Sequence, residues 1–244
     1  MRLPDAAGYE LRLLCVGWLS FEAGDLLPDR PVTTCVNALL LRGRGETLLV
    51  DAGSGPADVL WPGAAGLEGA LAVEGVGMDE IDAVVLTHLD FDHAGGTLAG
   101  TWPDDVRAAF PRLVVSAVAL EEVRELEAAG RVLAAYEATD ALELVENGAE
   151  FRPGLRLVSA PGHREGHCAL LPGDELVFGA DILHHETHVE HPEWDGKYDA
   201  DPELALETRR AWIARLEKSG TPAAFSHIPS RGRILPGPVW SPDD

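Results

Sequence analysis

A dense group of potential metal ligands follows a short apolar run near the middle of the chain. Residues 81–87 (IDAVVLT) have the β-branched, apolar composition of a strand that is buried in a sheet. The run leads directly into two imidazoles and two carboxylates, and then into two glycines: His88, Asp90, Asp92, His93, Gly95 and Gly96. A loop that leaves a strand can aim successive side chains at one point, and glycine lets the backbone turn sharply. Imidazole and carboxylate suit zinc, iron, manganese or cobalt, so the pattern predicts a metal centre rather than a solvated polar turn.

Short apolar segments separated by turn residues fill much of the remaining chain. Strands are predicted at residues 11–16, 36–41, 47–51, 81–87, 113–116, 142–145, 155–160, 168–171, 176–179 and 223–226. The turn at 43–46 should join the second and third of these as a hairpin. Helices are predicted at 118–129 and at 201–218, where Asp201 caps the helix and Pro202 takes its first position. We therefore expect one domain over residues 1–244, built as layered sheets covered by helices.

Charge and composition argue against several classes of partner. With 19 basic and 41 acidic residues the formal net charge is −22. A nucleic-acid backbone, which is bound through Lys and Arg, is therefore not an expected partner. No apolar run reaches the roughly 18 residues that a membrane helix needs, and the first residues lack the apolar core of a signal peptide. The three scattered cysteines predict no disulfide framework. We expect a cytoplasmic protein that acts on a small molecule, with no membrane partner.

The loop after residue 87 and several other segments resemble the metallo-β-lactamase-fold hydrolases. That family carries the signature His-x-His-x-Asp-His-x-Gly-Gly after a buried strand, and THLDFDHAGG is similar to it. Other similar segments are residues 48–55 (LLVDAGSG), 161–167 (PGHREGH), 179–181 (GAD) and 225–227 (FSH). The resemblance implies an α+β fold, a four-layer αββα sandwich with metals in a groove at one edge of the sheets. The order of the segments is most similar to the branch that contains lactonases and organophosphate hydrolases.

The resemblance implies two divalent metal ions. The first would be bound by His88, Asp90 and His163, and the second by Asp92, His93 and His227, with Asp181 bridging the two. Asp90 departs from the pattern, because most of the family has histidine at that position. A carboxylate still binds a metal ion, but it adds a negative charge and hardens the site. Zinc is the first expectation, and the carboxylate of Asp90 makes manganese or iron alternatives.

Two such ions would make a hydroxide nucleophile available at neutral pH. Metal coordination lowers the pKa of water from 15.7 to about 7, and a hydroxide that bridges two ions can attack a carbonyl or phosphoryl group. Asp92, next to this hydroxide, could orient it or accept its proton. In the family's acyl-homoserine lactonases a Tyr three residues after the bridging Asp polarises the substrate. His184 takes that place here. It is either an electrophile or proton donor in the pocket, or a plain loop histidine.

The resulting prediction is a metal-dependent hydrolase of a small ester, lactone or phosphotriester. Two alternative activities stay open: a thioesterase similar to glyoxalase II, and an iron-dependent redox or dioxygen enzyme on the same fold. The thioesterase ranks lower, because its anionic substrates need a dense patch of Lys and Arg. The carboxylate of Asp90 keeps iron open as an alternative. A homodimer is expected because dimers are common among relatives.

Several further residues have expected supporting roles. His167 is predicted to hydrogen-bond behind the ligands, and Asp51 to support the metal-binding loop. Arg231 and Arg233 either bind a substrate carboxylate or offset local acidity. An apolar pocket could be lined by four aromatic residues, which at such positions are as often core or surface: Trp18, Phe21, Trp194 and Tyr198.

Overall fold

Strands make up most of the secondary structure. The computed structural model describes residues 1–55, 66–101, 105–120, 127–194 and 196–243. The strands of this part of the chain are β1 (Tyr9–Phe21), β2 (Val32–Gly43), β3 (Glu46–Val50), β4 (Ala83–Val85), β5 (Leu98–Thr101), β6 (Asp105–Ala108), β7 (Leu113–Ser116), β8 (Leu142–Val145), β9 (Glu150–Arg152), β10 (Leu155–Ser159), β11 (Cys168–Pro172), β12 (Val177–Phe178), β13 (Ala223–Ala224), β14 (Gly232–Leu235) and β15 (Val239–Pro242).

These strands form two large sheets and a small one. The first sheet has the order β1-β2-β3-β4-β7-β8; its first three strands pair antiparallel, and its last four pair parallel. The second sheet has the order β15-β14-β13-β12-β11-β10-β9 and is antiparallel except for the parallel pair β12 and β13. Strands β5 and β6 pair separately.

Four α-helices lie in the described part of the chain: α1 (Gly66–Val73), α2 (Phe91–Ala94), α3 (Glu127–Glu137) and α4 (Pro202–Ser219). Short 3-10 helices occupy Met78–Glu80, Gly95–Thr97, Ala180–Ile182, Glu186–Val189 and Pro192–Trp194. The start of α4 is as predicted, since Asp201 accepts a hydrogen bond from Leu204 N at 3.1 Å and Pro202 opens the helix. None of the described helices is long and apolar enough to span a membrane.

Alternation along the strands separates three layers of core. In β2, Leu39 and Leu41 face the second sheet, where residues such as Phe178 pack. Leu40 faces the opposite way and packs in a core that includes Leu71 of α1 and residues of α3. On the outer face of the second sheet, α4 buries its apolar residues in a third core: Trp212, Ile213 and Leu216. The layers are therefore helix, sheet, sheet and helix, the αββα sandwich that was expected.

Some predicted elements differ from the observed ones. The hairpin at 43–46 is confirmed, because Gly43 pairs with Glu46 across a two-residue turn of positive φ. The strand predicted at 81–87 is only Ala83–Val85, since Thr87 N donates to a side chain instead of to a neighbouring strand. Of the helix predicted at 118–129, residues 121–126 lie outside the described residues, whereas residues 119–120 and 127–129 are helical. Short strands of mixed polarity, such as β9 and β15, were not predicted.

Candidate metal centre

The carboxylate of Asp51 fixes the metal loop, defined as residues 87–96, to the end of β3. Thr87 donates its backbone N–H to Asp51 Oδ1 and its hydroxyl to Oδ2, each at 2.9 Å. His93 Nδ1 also lies 2.9 Å from Oδ2. Asp51 is fully buried with a φ of 58°, a conformation that costs a non-glycine residue about 1–3 kcal/mol. Its hydrogen bonds hold this conformation, so Asp51 supports the loop as the sequence indicated.

Two glycines allow the metal loop to pack directly on the turn that follows β3. A Cβ atom on Gly96 would lie 2.0 Å from Ala52 O, and one on Gly95 would lie 2.6 Å from Ser54 O. Ala52 N donates to His93 O at 2.8 Å across the same contact. Gly95 has an ordinary φ of −58°. Glycine is therefore needed here for close approach, and the expectation that it permits a sharp turn was wrong.

A buried ion pair orients His163. Its Nδ1 lies 3.1 Å from Asp199 Oδ1, and Asp199 Oδ2 accepts a hydrogen bond from Arg209 Nη2 at 3.0 Å. Arg209, from α4, also donates to Ile182 O at 2.9 Å and to Pro192 O at 3.0 Å. The side chains of Asp199 and Arg209 are each 1% exposed. This network turns Nε2 of His163 towards the ligand cluster.

His227 follows β13 of the second sheet, but its ring is positioned by hydrogen bonds to the first sheet. His227 Nδ1 lies 2.9 Å from Cys35 O. The buried side chain of Asn37 donates to Phe225 O at 2.9 Å and to Ile228 O at 2.7 Å. Cys35 and Asn37 both belong to β2, so the position of His227 depends on the contact between the two sheets.

His167 supports Asp181 from behind. Asp181 donates its backbone N–H to His167 Nε2 at 3.2 Å, and His167 Nδ1 lies 2.8 Å from Ala160 O. Burial, followed by repulsion from His163, lowers the pKa of His167 to about 4, so its ring is neutral at pH 7. Both ring nitrogens are engaged by protein groups. The predicted hydrogen-bonding role of His167 therefore agrees with its contacts.

Five imidazoles converge on the carboxylate of Asp181, and four of them belong to the predicted ligand set. Its Oδ1 lies 3.3 Å from Nε2 of His93, and its Oδ2 lies 3.8, 3.5 and 3.4 Å from Nε2 of His88, His163 and His227. Ligand atoms within 4.8 Å of one another form four groups: His88–Asp90–His163, His88–His93–Asp181, Asp92–His93–His227 and His163–Asp181–His184. All seven side chains that the sequence suggested as ligands are thus together, with Asp181 between the group of Asp90 and the group of Asp92.

Buried polar atoms point into this cluster without protein partners. His88 Nε2, His93 Nε2, His163 Nε2 and Asp181 Oδ1 are buried and make no hydrogen bond to any described residue. Each such atom costs about 1–3 kcal/mol, so their convergence indicates a shared ligand. The four histidines that surround Asp181 use Nδ1 for a protein contact, which leaves Nε2 for a metal ion. A donor set of imidazole nitrogen and carboxylate oxygen fits a divalent ion such as zinc or manganese.

The carboxylates of the cluster favour positive charge at its centre. Burial alone would lower the pKa of His93, but Asp181 and Asp92 outweigh it and raise that pKa well above its usual value. Burial also opposes ionisation of Asp181, yet His93 and His227 hold its pKa well below the usual range. The same balance of burial against His93 and His227 lowers the pKa of Asp92 to about 2. Ionised carboxylates around imidazoles whose Nε2 atoms make no hydrogen bond suit a cation.

Asp90 is held by an arginine as well as by its histidine neighbours. Arg164 donates Nε to Asp90 Oδ1 at 2.7 Å and Nη2 to Oδ2 at 2.5 Å. The same Oδ2 lies 3.4 Å from His163 Nε2 and 3.9 Å from His88 Nε2. Burial would raise the pKa of Asp90, but His163 and Arg164 outweigh it and lower the pKa. The carboxylate is therefore ionised and paired.

His184 lies in the cluster rather than out on a loop. It is buried, its Nε2 is 3.2 Å from Asp181 Oδ2, and its ring stacks on that of His227 with centroids 5.4 Å apart. Of the two interpretations from sequence, the position facing the ligands is the observed one. Three neighbouring histidines have other contacts: His185 with Thr187, His188 with the carbonyl of Leu26, and His191 with the ring of Trp194.

Phe21 and Tyr198 form an aromatic wall beside His227. The ring centroid of Phe21 lies 6.4 Å from that of His227 and 5.4 Å from that of Tyr198, edge-on in both cases. Tyr198 Oη donates to Asp25 Oδ2 at 2.9 Å, which ties the wall to the loop after β1. The other two aromatic candidates differ, since Trp18 is exposed on β1 and Trp194 stacks on a histidine.

The two arginines that follow His227 pair with local groups. Arg231 Nε lies 2.8 Å from Asp243 Oδ2, and Arg233 Nη1 donates to the carbonyl oxygen of Gly220. The contact of Arg231 favours the interpretation in which it offsets local acidity over the one in which it binds a substrate carboxylate, whereas Arg233 binds a neutral backbone carbonyl.

Comparison with known proteins identifies the family. A family model described as the metallo-beta-lactamase superfamily matches residues 35–227, a span that contains the whole ligand cluster. The chain belongs to this superfamily. Its fold is similar to that of the hydrolase AbOPH of the beta lactamase superfamily, with a TM-score of 0.80, 23% identity and 99% of each chain covered.

Two further solved structures of similar fold are metal enzymes by their descriptions. AidC, a dizinc quorum-quenching lactonase in complex with a product, has a TM-score of 0.84 and 19% identity, with 100% of this chain and 97% of AidC covered. A probable metal-dependent hydrolase from Staphylococcus aureus has a TM-score of 0.80 and 19% identity, with 98% and 97% covered. A search of curated proteins finds no match. At these identities the likeness concerns the fold, and it confirms the expected metallo-β-lactamase sandwich.

Within this superfamily fold, sequence reasoning identified Asp51 and His167 as supports of the ligands but missed Asp199, Arg209 and Arg164. Arg209 had a visible signal, because it lies on the apolar face of α4 with Ala205, Trp212, Ile213 and Leu216. An arginine on such a face needs a buried counter-charge, which here is Asp199. Arg164 also had a visible signal in the sequence, because it is a cation next to the ligand His163 in a site that contains the unexpected carboxylate of Asp90.

Proposed function

We propose that the protein is a dinuclear metal-dependent hydrolase of a small uncharged lactone, ester or phosphotriester. The observation that carries the proposal is the carboxylate of Asp181 between two groups of ligand atoms, 3.3–3.8 Å from four imidazole nitrogens. One ion would be held by His88, Asp90 and His163, and the other by Asp92, His93 and His227, with Asp181 contacting both. Zinc is proposed first, because imidazoles outnumber carboxylates in this set.

The chain's own residues position the reactants. When bound, the two ions would lower the pKa of a coordinated water and polarise a carbonyl or phosphoryl oxygen. The histidines, each fixed through Nδ1, would keep the ligand atoms at constant spacing. Asp92, with a pKa of about 2, is ionised at neutral pH. Its carboxylate would orient the attacking water and accept a hydrogen bond from it.

His184 is proposed as the proton donor to the leaving oxygen. The proposal is supported by its burial within the cluster and by the contact of its Nε2 with Asp181. His184→Gln should keep both metal ions and lower kcat about 10²–10⁴-fold, the usual contribution of a general acid. The pH–rate profile should lose its alkaline limb. Loss of metal in parallel with activity would show instead that His184 is a ligand.

Three features support an uncharged substrate with an apolar part. The chain has a net charge of −22, and Asp92 and Asp181 add negative charge at the cluster itself. The guanidinium of Arg164 is engaged by Asp90 and by backbone carbonyls. The wall formed by Phe21 and Tyr198 offers an apolar contact beside His227. The descriptions of AidC as a lactonase and of AbOPH as a hydrolase agree with this class of substrate.

A substrate screen of the zinc-loaded protein tests the proposal. We expect hydrolysis of at least one class among lactones, simple esters and phosphotriesters, which is measured through the acid that the reaction releases. Asp181→Asn, which keeps the shape of the side chain, should abolish it while circular dichroism shows an intact fold. Hydrolysis of glutathione or coenzyme A thioesters alone would favour the thioesterase alternative. Bound iron with oxygen uptake and no hydrolysis would favour the redox alternative.

A further inference from the structure

Arg164 joins three parts of the first ligand group. Its Nε and Nη2 bind both oxygens of Asp90, and its Nη1 donates to the backbone carbonyls of His163 at 2.6 Å and Tyr198 at 2.8 Å. Tyr198 immediately precedes Asp199, which orients the His163 ring. One guanidinium therefore binds the Asp90 carboxylate directly and also binds the backbone of His163 and of the residue that precedes Asp199.

The Arg164 contact offsets the charge of an unusual ligand. A carboxylate at position 90 brings a negative charge that a neutral imidazole would not, and the guanidinium supplies one positive charge at 2.5–2.7 Å. Together the two side chains have no net charge, like histidine. We propose that Asp90 and Arg164 act as one ligand unit of the first metal site, in which Arg164 is the positioning residue. The inference rests on the proposed dinuclear centre and deepens it.

The guanidinium leaves Asp90 able to bind a metal ion. Each carboxylate oxygen has two lone pairs, and the two-pronged contact with Arg164 uses one on each oxygen. Oδ2 still faces the other two members of its group, at 3.4 Å from His163 Nε2 and 3.9 Å from His88 Nε2. The Asp90 and Arg164 side chains are 21% and 22% exposed, so the pair lies where water reaches the cluster. Without Arg164, water would compete for the carboxylate and loosen its orientation.

A double-mutant cycle on zinc binding tests whether Asp90 and Arg164 act as one ligand unit. Metal-free proteins are titrated with zinc against a competing chelator, and bound zinc per chain is counted by elemental analysis. Arg164→Gln should weaken binding of one of the two ions about 10–100-fold, the usual effect of removing a ligand's hydrogen-bond partner. Asp90→His should weaken it by about tenfold or more, because the guanidinium is then unpaired and faces the cation.

The double variant gives the decisive result. Asp90→His with Arg164→Gln should bind zinc within about threefold of the wild type, because a neutral imidazole needs no counter-charge. Arg152→Gln is the matched control, since Arg152 makes the same two-pronged contact with Glu143, at 2.9 and 3.1 Å, on the edge strand β9. It should leave zinc binding unchanged.

Two outcomes would overturn the inference. One is additive losses in the double variant, as expected if Arg164 only stabilises the fold. The other is zinc binding by Arg164→Gln as tight as in the wild type. If the wild type itself binds no zinc, the dinuclear proposal fails and this inference fails with it; if the wild type binds two ions and the cycle is additive, only this inference fails.

Discussion

Replacing Arg209 with methionine should strongly destabilise the protein, because it leaves a carboxylate buried without its counter-charge. The side chains of Arg209 and Asp199 are each 1% exposed, and Nη2 lies 3.0 Å from Oδ2. Breaking such a pair by removing one partner costs about 3–5 kcal/mol. In a chain of this size each kcal/mol lowers Tm by about 2–4 °C, so Tm should fall by about 6–20 °C. Urea denaturation and calorimetry of the metal-free protein measure the loss.

Two further variants make this result interpretable. Arg210→Met is the control, because Arg210 is the exposed neighbour on the same helix and its loss should change stability by about 0.5 kcal/mol or less. Arg209→Met combined with Asp199→Leu removes both charges and should recover about half or more of the loss. A single-variant loss below about 1 kcal/mol, or a double variant less stable than Arg209→Met, would refute the buried ion pair as the support of His163.

Three other perturbations have definite expected outcomes. Gly96→Ala would place a Cβ atom 2.0 Å from Ala52 O, so urea denaturation should show that the free energy of unfolding falls by about 1–3 kcal/mol or more. Gly17→Ala is the control and should be tolerated, because its Cβ would lie 3.7 Å from the nearest atom. Equal losses of stability in the two variants would contradict the close approach. The pKa of His167 is lowered from 6.5 to about 4 in the folded protein, so a proton binds this histidine more tightly in the unfolded chain than in the folded one. The stability of the metal-free protein should therefore fall as the pH drops from 6.5 towards 4. The difference between the two pKa values corresponds to about 3 kcal/mol of stability at most. The free energy of unfolding of His167→Gln should therefore depend less steeply on pH. Equal pH dependence in the variant and the wild type would show that His167 does not cause the loss of stability. Asp181→Ala should lose bound metal and hydrolysis together, and retention of either one would contradict a bridging role.

Sequence patterns predict the parts of the molecule that depend on local chemistry. Strand β7 has the predicted bounds, because a continuous apolar run between turn residues has few other ways to be buried. Strand β8 also has the predicted bounds, although its sequence LELV is only partly buried. Helix α4 follows its capping residue Asp201. The ligand residues were apparent because imidazoles and carboxylates at such density are unusual, and the fold then brings their segments to one edge of the two sheets.

The features that the sequence did not predict depend on contacts between residues that are far apart in the chain or lie on different elements. Asp199 and Arg209 lie on different elements, and Arg164 reaches Asp90 across 74 residues, so no local pattern specifies either pair. The role of Gly96 depends on the backbone of the 51–55 turn, which only the folded chain brings near. Strands β9 and β15 lie at sheet edges, where one side of the strand faces water and apolar alternation is weak.

The most direct test of the account is a count of metal ions per chain by elemental analysis. The protein is purified after expression in medium that contains zinc, manganese, iron and cobalt, alongside Asp181→Ala. A dinuclear centre bridged by Asp181 should give about two ions per wild-type chain, mostly zinc, and a clear loss in Asp181→Ala. A wild-type chain that binds no metal, even after reconstitution with each of these ions, would contradict the central claim.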